Sequence, residues 1–122
     1  MSTHVLRGSD PSDADELGAA LEVAFRAIKN AIANDDAVVV VVPSEDLLGH
    51  RSPVGAAYVN ALIGMTRAVA FEGARVGWKI NTVAVPSTSE LTDRQAIDAV
   101  AADGLTGQVL TLGTALVGRL IP

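Results

Sequence analysis

Apolar residues in this chain follow two repeats in turn, one typical of helices and the other of buried strands. Between residues 16 and 33 they recur every three or four positions, which places them on one face of a helix. That predicted face consists of Leu17, Leu21, Ala24, Phe25, Ile28 and Ile32. Residues 37–42 are apolar at every position, as in a strand buried on both sides. The pattern therefore predicts a helix that leads into a central strand.

The same order is repeated downstream. A long helix is predicted near residues 55–75, ending at Gly77, and a strand over 78–85 is cut by Pro86. The remaining predicted elements are a short first strand over 4–7, a third helix near 93–102 and a last strand over 109–112. Helices and strands in alternation predict an α/β fold: a small three-layer structure with a mostly parallel sheet of about four strands.

Composition excludes several classes of protein. The net charge is −5 and there is no run of Lys or Arg, so nucleic acid and anionic membranes are not expected partners. The absence of cysteine excludes disulfides and thiolate chemistry. The longest apolar run, Ala37–Pro43, is far shorter than the ~20 residues that span a bilayer, and the start lacks a signal-peptide pattern. We therefore expect a cytoplasmic protein.

Two stretches of the chain are similar to a known family. Residues 64–73, GMTRAVAFEG, followed by residues 78–84, WKINTVA, resemble the GLTRALALEGA and IRVNAVA segments of short-chain dehydrogenases/reductases. Residues 106–113, TGQVLTLG, resemble the closing strand of that family. The resemblance covers roughly residues 15–118. It implies that the whole chain, residues 1–122, is a single truncated Rossmann-like domain that corresponds to the C-terminal half of the family.

The resemblance also indicates where catalytic residues would lie. The family uses a Tyr-x-x-x-Lys pair at the start of the long helix and a Ser upstream of that Tyr. Alignment on the Gly-Met-Thr-Arg segment puts Gly55 at the position of the Tyr and Val59 at that of the Lys. Neither residue can take part in proton transfer.

A second register starts instead from Tyr58, whose distance along the chain from Ser44 is close to the family's interval between Ser and Tyr. The position of the Lys then falls on Leu62. Without that cation, a tyrosine keeps a pKa near ~10 and is a poor base at neutral pH. Ser44 and Tyr58 are thus the candidate catalytic pair, but we expect no catalytic residue in this chain acting alone.

Cofactor and metal sites are not expected either. The family's TGxxxGxG turn, which lets a pyrophosphate approach a helix N-terminus, is absent, and Gly8 stands alone. The family's Pro-Gly after its sixth strand is replaced by Val85 and Pro86. His4 and His50 are 46 residues apart and lack the spacing of metal ligands.

The first functional hypothesis is a non-catalytic subunit, a pseudoenzyme. In the family, the two long helices pack against their equivalents in a neighbouring protomer. We therefore expect a homo-oligomer, or a hetero-oligomer with a full-length, active NAD(P)-dependent short-chain dehydrogenase. The small residues that would allow close packing of the second helix are Gly55, Ala57, Ala61, Gly64 and Ala68.

The alternative hypothesis is a small-molecule-binding protein, or an oxidoreductase, with a rebuilt site at the carboxyl ends of the strands. Its candidate residues are Ser44, Glu45, His50, Tyr58 and Ser87. The two hypotheses differ in one property that is simple to measure, the binding of NADH or NADPH.

Overall fold

The computed structural model describes residues 2–102 and 104–113, which form one parallel sheet between helices. The strands are β1 (Thr3–Arg7), β2 (Ala37–Pro43), β3 (Ile80–Val85) and β4 (Val109–Thr111), and they lie side by side in that order. The helices are α1 (Ala14–Ala33), α2 (Pro53–Glu72) and α3 (Asp93–Ala99), with a 3-10 turn at Ser44–Leu47. All three strand pairings are parallel, which confirms the predicted fold class.

The central strand β2 is buried on both faces, as its continuous apolar run predicts. Val38, Val40 and Val42 pack with α1 and α2, whereas Val39 and Val41 contribute to a separate core beneath α3. All five valines are at most 7% exposed. The sheet is therefore the middle of three layers, and a separate apolar core packs against each of its faces.

Helix α1 starts where a side chain caps it. The Asp13 carboxylate accepts a hydrogen bond from the N–H of Glu16 at 2.8 Å, which satisfies one of the free donors of the first turn. The predicted apolar face of α1 packs against the core, with the exception of Phe25. Ala20, Ala24, Ile28 and Ala31 are buried, while Phe25, predicted on this face, is 53% exposed.

Helix α2 is displaced by two to three residues from its predicted bounds. Ser52 caps the start by accepting the N–H of Gly55 at 2.9 Å, and Pro53 follows as the first helical residue. The helix ends at Glu72, and the carbonyl of the next residue, Gly73, accepts the N–H groups of Val76, Gly77 and Trp78. A β-carbon on Gly73 would overlap the ring of Trp78, so the close turn requires glycine there.

By length and composition, α2 is the one helix in the described part of the chain that could cross a membrane. Its apolar character has another physical cause within the fold. Seven of its residues, including Val59, Leu62 and Ile63, are buried against the rest of the domain.

Two buried threonine hydroxyls have no hydrogen-bond partner within the described ranges. They belong to Thr66 on α2 and Thr82 on β3, which are 1% and 0% exposed. A buried hydroxyl without a partner costs stability, because it loses its bonds to water on folding.

We expect Thr82→Val to raise the free energy of unfolding by about 1 kcal/mol, since valine has nearly the same shape and no polar group to satisfy. Thr111→Val is the control, because Thr111 is an exposed strand residue and its substitution should fall within about 0.5 kcal/mol of zero. Urea denaturation of both variants measures the difference. A loss of stability in Thr82→Val would mean that its hydroxyl is bonded after all.

Candidate functional site

Three loops meet at the carboxyl edge of the sheet, where open parallel sheets bind their ligands. They follow β1, β2 and β3, and the middle one begins with the 3-10 turn Ser44–Leu47. Most of the sequence-predicted site residues lie in or beside these loops.

Tyr58 is buried at this edge, and its hydroxyl is bonded to the neighbouring loop. Its side chain is 4% exposed, and its hydroxyl accepts the N–H of Ser9 at 3.1 Å. The ring lies directly over Gly8, where a β-carbon would come within 2.9 Å of Cε2. Tyr58 therefore holds the β1–α1 loop in place. Ser44 is 2% exposed, and no hydrogen bond joins it to Tyr58 among the described residues.

Both positions at which a catalytic lysine would fall are in the apolar core. Val59 is 1% exposed and Leu62 is 0% exposed, and both belong to the cluster between α2 and the sheet. A lysine ammonium at either position would be strongly penalised by burial. In both registers, a buried apolar residue thus occupies the position that aligns with the family's lysine.

The most buried charge at the carboxyl edge belongs to Asp46, which is 1% exposed. Arg51 binds it with two hydrogen bonds, Nε to Oδ1 at 3.1 Å and Nη2 to Oδ2 at 2.6 Å. The same Nη2 also donates to Asp10 in the β1–α1 loop at 3.2 Å. The hydrogen bond to Asp46 raises the pKa of the Arg51 guanidinium, against the lowering effect of its partial burial. The contact between Arg51 and Asp10 joins two of the three loops.

Gly55 lies against this ion pair and is buried. A β-carbon on Gly55 would lie 2.9 Å from Oδ1 of Asp46 and 3.0 Å from its Cγ. Gly55 is one of the small residues predicted to pack against a partner, and in the structure the Asp46 carboxylate covers it. Any larger residue there would have to displace the carboxylate.

Glu45 connects the ends of β2 and β3. Its carboxylate accepts the N–H of Ser87 at 2.9 Å and the Ser87 hydroxyl at 2.5 Å. Partial burial on its own would raise the pKa of Glu45, but these hydrogen bonds outweigh it and the pKa lies below its ordinary value of 4.5. His50 contributes only its backbone N–H, which donates to the carbonyl of Glu45, and its side chain is exposed.

We expect the Glu45–Ser87 contact to stabilise the fold only while Glu45 is ionised. Because the folded pKa is lowered, this stabilisation is present above pH 4.5 and is lost as the pH falls through the folded pKa. In Ser87→Ala, the Glu45 pKa should move up, and the decline in stability below pH 4.5 should flatten. Carbon NMR of the Glu45 carboxyl group in the two proteins checks this. An unchanged titration curve would contradict the assigned hydrogen bonds.

A cleft of about 360 Å³ lies beside Arg51. Its lining is formed by Asp10, Pro11, Ser12, Arg51, Ser52, Pro53 and Val54. Within residues 2–102 and 104–113, no three His, Cys, Asp or Glu side chains are grouped as metal ligands. The polar side chains that a ligand would meet in this cleft belong to Asp10, Ser12, Arg51 and Ser52.

The outer side of the two long helices carries the remaining candidate residues. Ala57, Gly64 and Ala68 are exposed and Ala61 is half-buried, and nothing lies within 4 Å of a β-carbon built on Gly64. An apolar groove of about 250 Å³ runs beside them between α1 and α2. The groove is lined by Phe25, Ile28, Lys29, Ile32, Met65, Val69, Glu72 and Trp78. Phe71, at the end of the small-residue stripe, is 87% exposed.

Comparison with known proteins rests on structure. No protein-family profile and no curated protein sequence matches the chain. The enoyl-[acyl-carrier-protein] reductase (NADH) of Aquifex aeolicus VF5 superposes with a TM-score of 0.67 at 17% identity, over 91% of this chain and 60% of that one. The chain thus shares the fold of this enzyme over most of its length, a truncated Rossmann-like fold.

A second enzyme supports the same conclusion. The 4-hydroxyisoleucine dehydrogenase complexed with NADH and succinate gives a TM-score of 0.61 at 16% identity, and its complex with NADH gives 0.62 at 15%. Each match covers 88% of this chain, and 65% and 66% of the respective solved chain. The chain thus spans about two thirds or less of the length of these enzymes. At such identities the likeness establishes the fold alone. The sequence resemblance is expected to extend to residue 118, and its last five residues, 114–118, lie outside the described residues.

Proposed function

We propose that the chain is a non-catalytic, short-chain-dehydrogenase-like subunit. It would assemble through α1 and α2 with itself or with a full-length, active NAD(P)-dependent dehydrogenase. The observation that carries this proposal is the state of Gly55, the position that aligns with the family's catalytic tyrosine. There the space for a side chain is filled by the Asp46 carboxylate, which Arg51 holds in place.

The nearest tyrosine does not compensate for this loss. The Tyr58 hydroxyl is bonded to Ser9 and covered by Gly8, and the lysine positions Val59 and Leu62 are inside the core. General acid–base catalysis needs a group that can reach the substrate proton and has a suitably shifted pKa. The first condition fails because Tyr58 is buried beneath a loop.

Cofactor binding has little support in the same region. The β1–α1 loop contains a single glycine, Gly8, and the Tyr58 ring lies against it. The two dehydrogenase neighbours are complexes with NADH, but this is a property of those proteins. The absence of a glycine-rich turn from the sequence supports a role without bound NAD(P).

The outer face of α1 and α2 supports assembly. Phe71 and Phe25 are 87% and 53% exposed. Exposed aromatic rings are unfavourable in water, and such rings are common at the centre of protein interfaces. Ala57, Gly64 and Ala68 offer no bulky side chain, so another helix could approach closely. Small residues beside exposed aromatic rings and an apolar groove form a surface suited to a protein partner.

Light scattering of the purified chain tests the assembly. A mass that is a whole multiple of the mass of one chain supports self-association. For the heteromeric form, the test is co-purification with a co-expressed full-length short-chain dehydrogenase. A mass that stays at that of the monomer under both conditions would contradict the proposal.

The alternative, a rebuilt small-molecule site, is favoured by one observation, the cleft of about 360 Å³ beside Arg51. Fluorescence titration with NADH and NADPH separates the two functions. A saturable change at micromolar concentrations of either nucleotide would favour the alternative and contradict the non-catalytic role.

Tyr58→Phe and Ser44→Ala should each leave the activity of any dehydrogenase complex containing this chain within about twofold, because loss of a true general acid or base costs ~10²–10⁴ in rate. The steady-state rate of the reconstituted complex measures the effect. Wild-type chain assayed in parallel provides the reference, and a hundredfold loss in either variant would show that this chain supplies chemistry.

A further inference from the structure

The carboxyl edge contains a buried charged pair that the proposed assembly does not use. Asp46 is 1% exposed, and its partner Arg51 is 32% exposed at the side chain. Taking a carboxylate out of water is costly, and a buried ion pair is often no more stabilising than apolar residues of the same volume. A contribution to stability is thus a weak explanation for the presence of the Asp46–Arg51 pair.

Arg51 holds Asp46 in the way that an arginine receptor holds an oxyanion. Two of its nitrogens, Nε and Nη2, donate to the two oxygens of one carboxylate at 3.1 Å and 2.6 Å. Such two-point binding matches the planar fork of a guanidinium to carboxylates and phosphates. No residue in the described part of the chain accepts from Nη1, so the guanidinium has donors to spare.

The space that Asp46 occupies also has a defined shape. All three atoms of its carboxyl group lie 2.9–3.0 Å from where a β-carbon of Gly55 would be. The carboxylate therefore fills the hollow that glycine leaves at position 55. The cleft of about 360 Å³ lies beside this pair and includes Arg51 in its lining, so solvent reaches the guanidinium.

We propose that Arg51 and the hollow beside Gly55 form a binding site for a small oxyanion, and that Asp46 occupies this site as an internal ligand. In the intact chain, Asp46 closes the site to external anions. The chemical class that fits the site is a group with two coplanar oxygens, as in a carboxylate or a phosphate. This inference goes beyond the proposed function and can fail without affecting it.

The surrounding charges explain why the intact site would exclude anions. Arg51 faces the carboxylates of Asp46 and Asp10, and Glu45 also acts on it electrostatically. Three negative groups around one guanidinium repel a further anion. Without Asp46, one charge is removed together with the atoms that fill the hollow, and Asp10 is 73% exposed and well screened by solvent.

Thermal unfolding of Asp46→Gly in sodium phosphate and in sodium chloride, at equal ionic strength, tests the site. We expect phosphate at ~100 mM to raise the Tm of this variant by about 4 °C more than it raises that of the wild type. The reason is that an anion that binds only the folded protein stabilises it. The wild type controls for the general stabilising effect of phosphate. Sodium acetate in place of phosphate distinguishes carboxylate from phosphate binding.

Two further variants make the result decisive. Arg51→Gln in the Asp46→Gly background should abolish the additional increase, because the guanidinium is the receptor. If Asp46→Gly does not fold in chloride, Asp46→Asn, which keeps the side-chain volume, serves in its place and should show a smaller increase. The proposal is overturned if neither anion stabilises the folded variant more than the wild type, or if the increase survives removal of Arg51.

Discussion

Arg51→Ala is expected to lower the free energy of unfolding by about 3 kcal/mol, the largest loss of stability that we predict for one substitution. The reason is that the buried carboxylate of Asp46, which is 1% exposed, would lose both hydrogen bonds from its cationic partner. The neighbouring contact to Asp10 would also be lost, but that carboxylate is 73% exposed and contributes little. Urea denaturation at pH 7 measures the difference.

The control for this prediction is Arg26→Ala. Arg26 forms an ion pair with Glu22 four residues away on α1, and both side chains are more than 60% exposed. Such a pair contributes about 0.3–0.5 kcal/mol. Equal effects of the two substitutions would mean that Asp46 reaches solvent and that the pair at the carboxyl edge is an ordinary surface contact.

Gly64→Leu is expected to weaken assembly by about 5- to 150-fold while leaving the fold of the chain intact. Nothing lies within 4 Å of a β-carbon at Gly64, so leucine does not overpack the chain's own core. In a close helix contact the same side chain would cost about 1–3 kcal/mol, which corresponds to that loss of affinity. In the isolated chain, removing a helical glycine should raise stability by up to ~1 kcal/mol.

Ala19→Leu on α1 is the matched control. Ala19 is exposed, and it precedes the groove residue Phe25 by six positions, which turns it well away from the groove on a 3.6-residue helix. Light scattering and thermal unfolding are measured for both variants. An interface on this side of α2 is excluded if Gly64→Leu keeps the wild-type mass.

The alternation of helices and strands could be predicted because it shows in the local periodicity of the sequence, and such alternation implies a parallel sheet. The apolar run of β2 reflects burial of both faces of this strand, and the three- and four-residue spacing in α1 reflects burial of one face of this helix against the sheet. The ends of the elements depend on particular contacts. Helix α2 ends at Glu72 rather than near residue 75, and the ring of Trp78 packs onto the next residue, Gly73.

The candidate site could be predicted only in part. The adjacency of Glu45 and Ser87 follows from two neighbouring strands ending at one edge, which parallel topology predicts. The burial of Asp46 could not be predicted, because a charged residue in a polar loop normally faces solvent. In the sequence, the pair is visible only as two opposite charges, Asp46 and Arg51, that lie five residues apart. They precede a predicted helix with a glycine, Gly55, in its first turn.

The central claim is that the α1–α2 face is covered by another protein chain, and Trp78 can report on this directly. It is the only tryptophan in the chain and lines the groove between the two helices. We expect quenching of its fluorescence by acrylamide to fall with rising protein concentration, or on addition of the partner dehydrogenase. The fall should parallel the rise in mass above that of the monomer and be absent in Gly64→Leu. Quenching that stays constant in the wild type, with the mass fixed at that of one chain both alone and with the co-expressed dehydrogenase, would contradict the account.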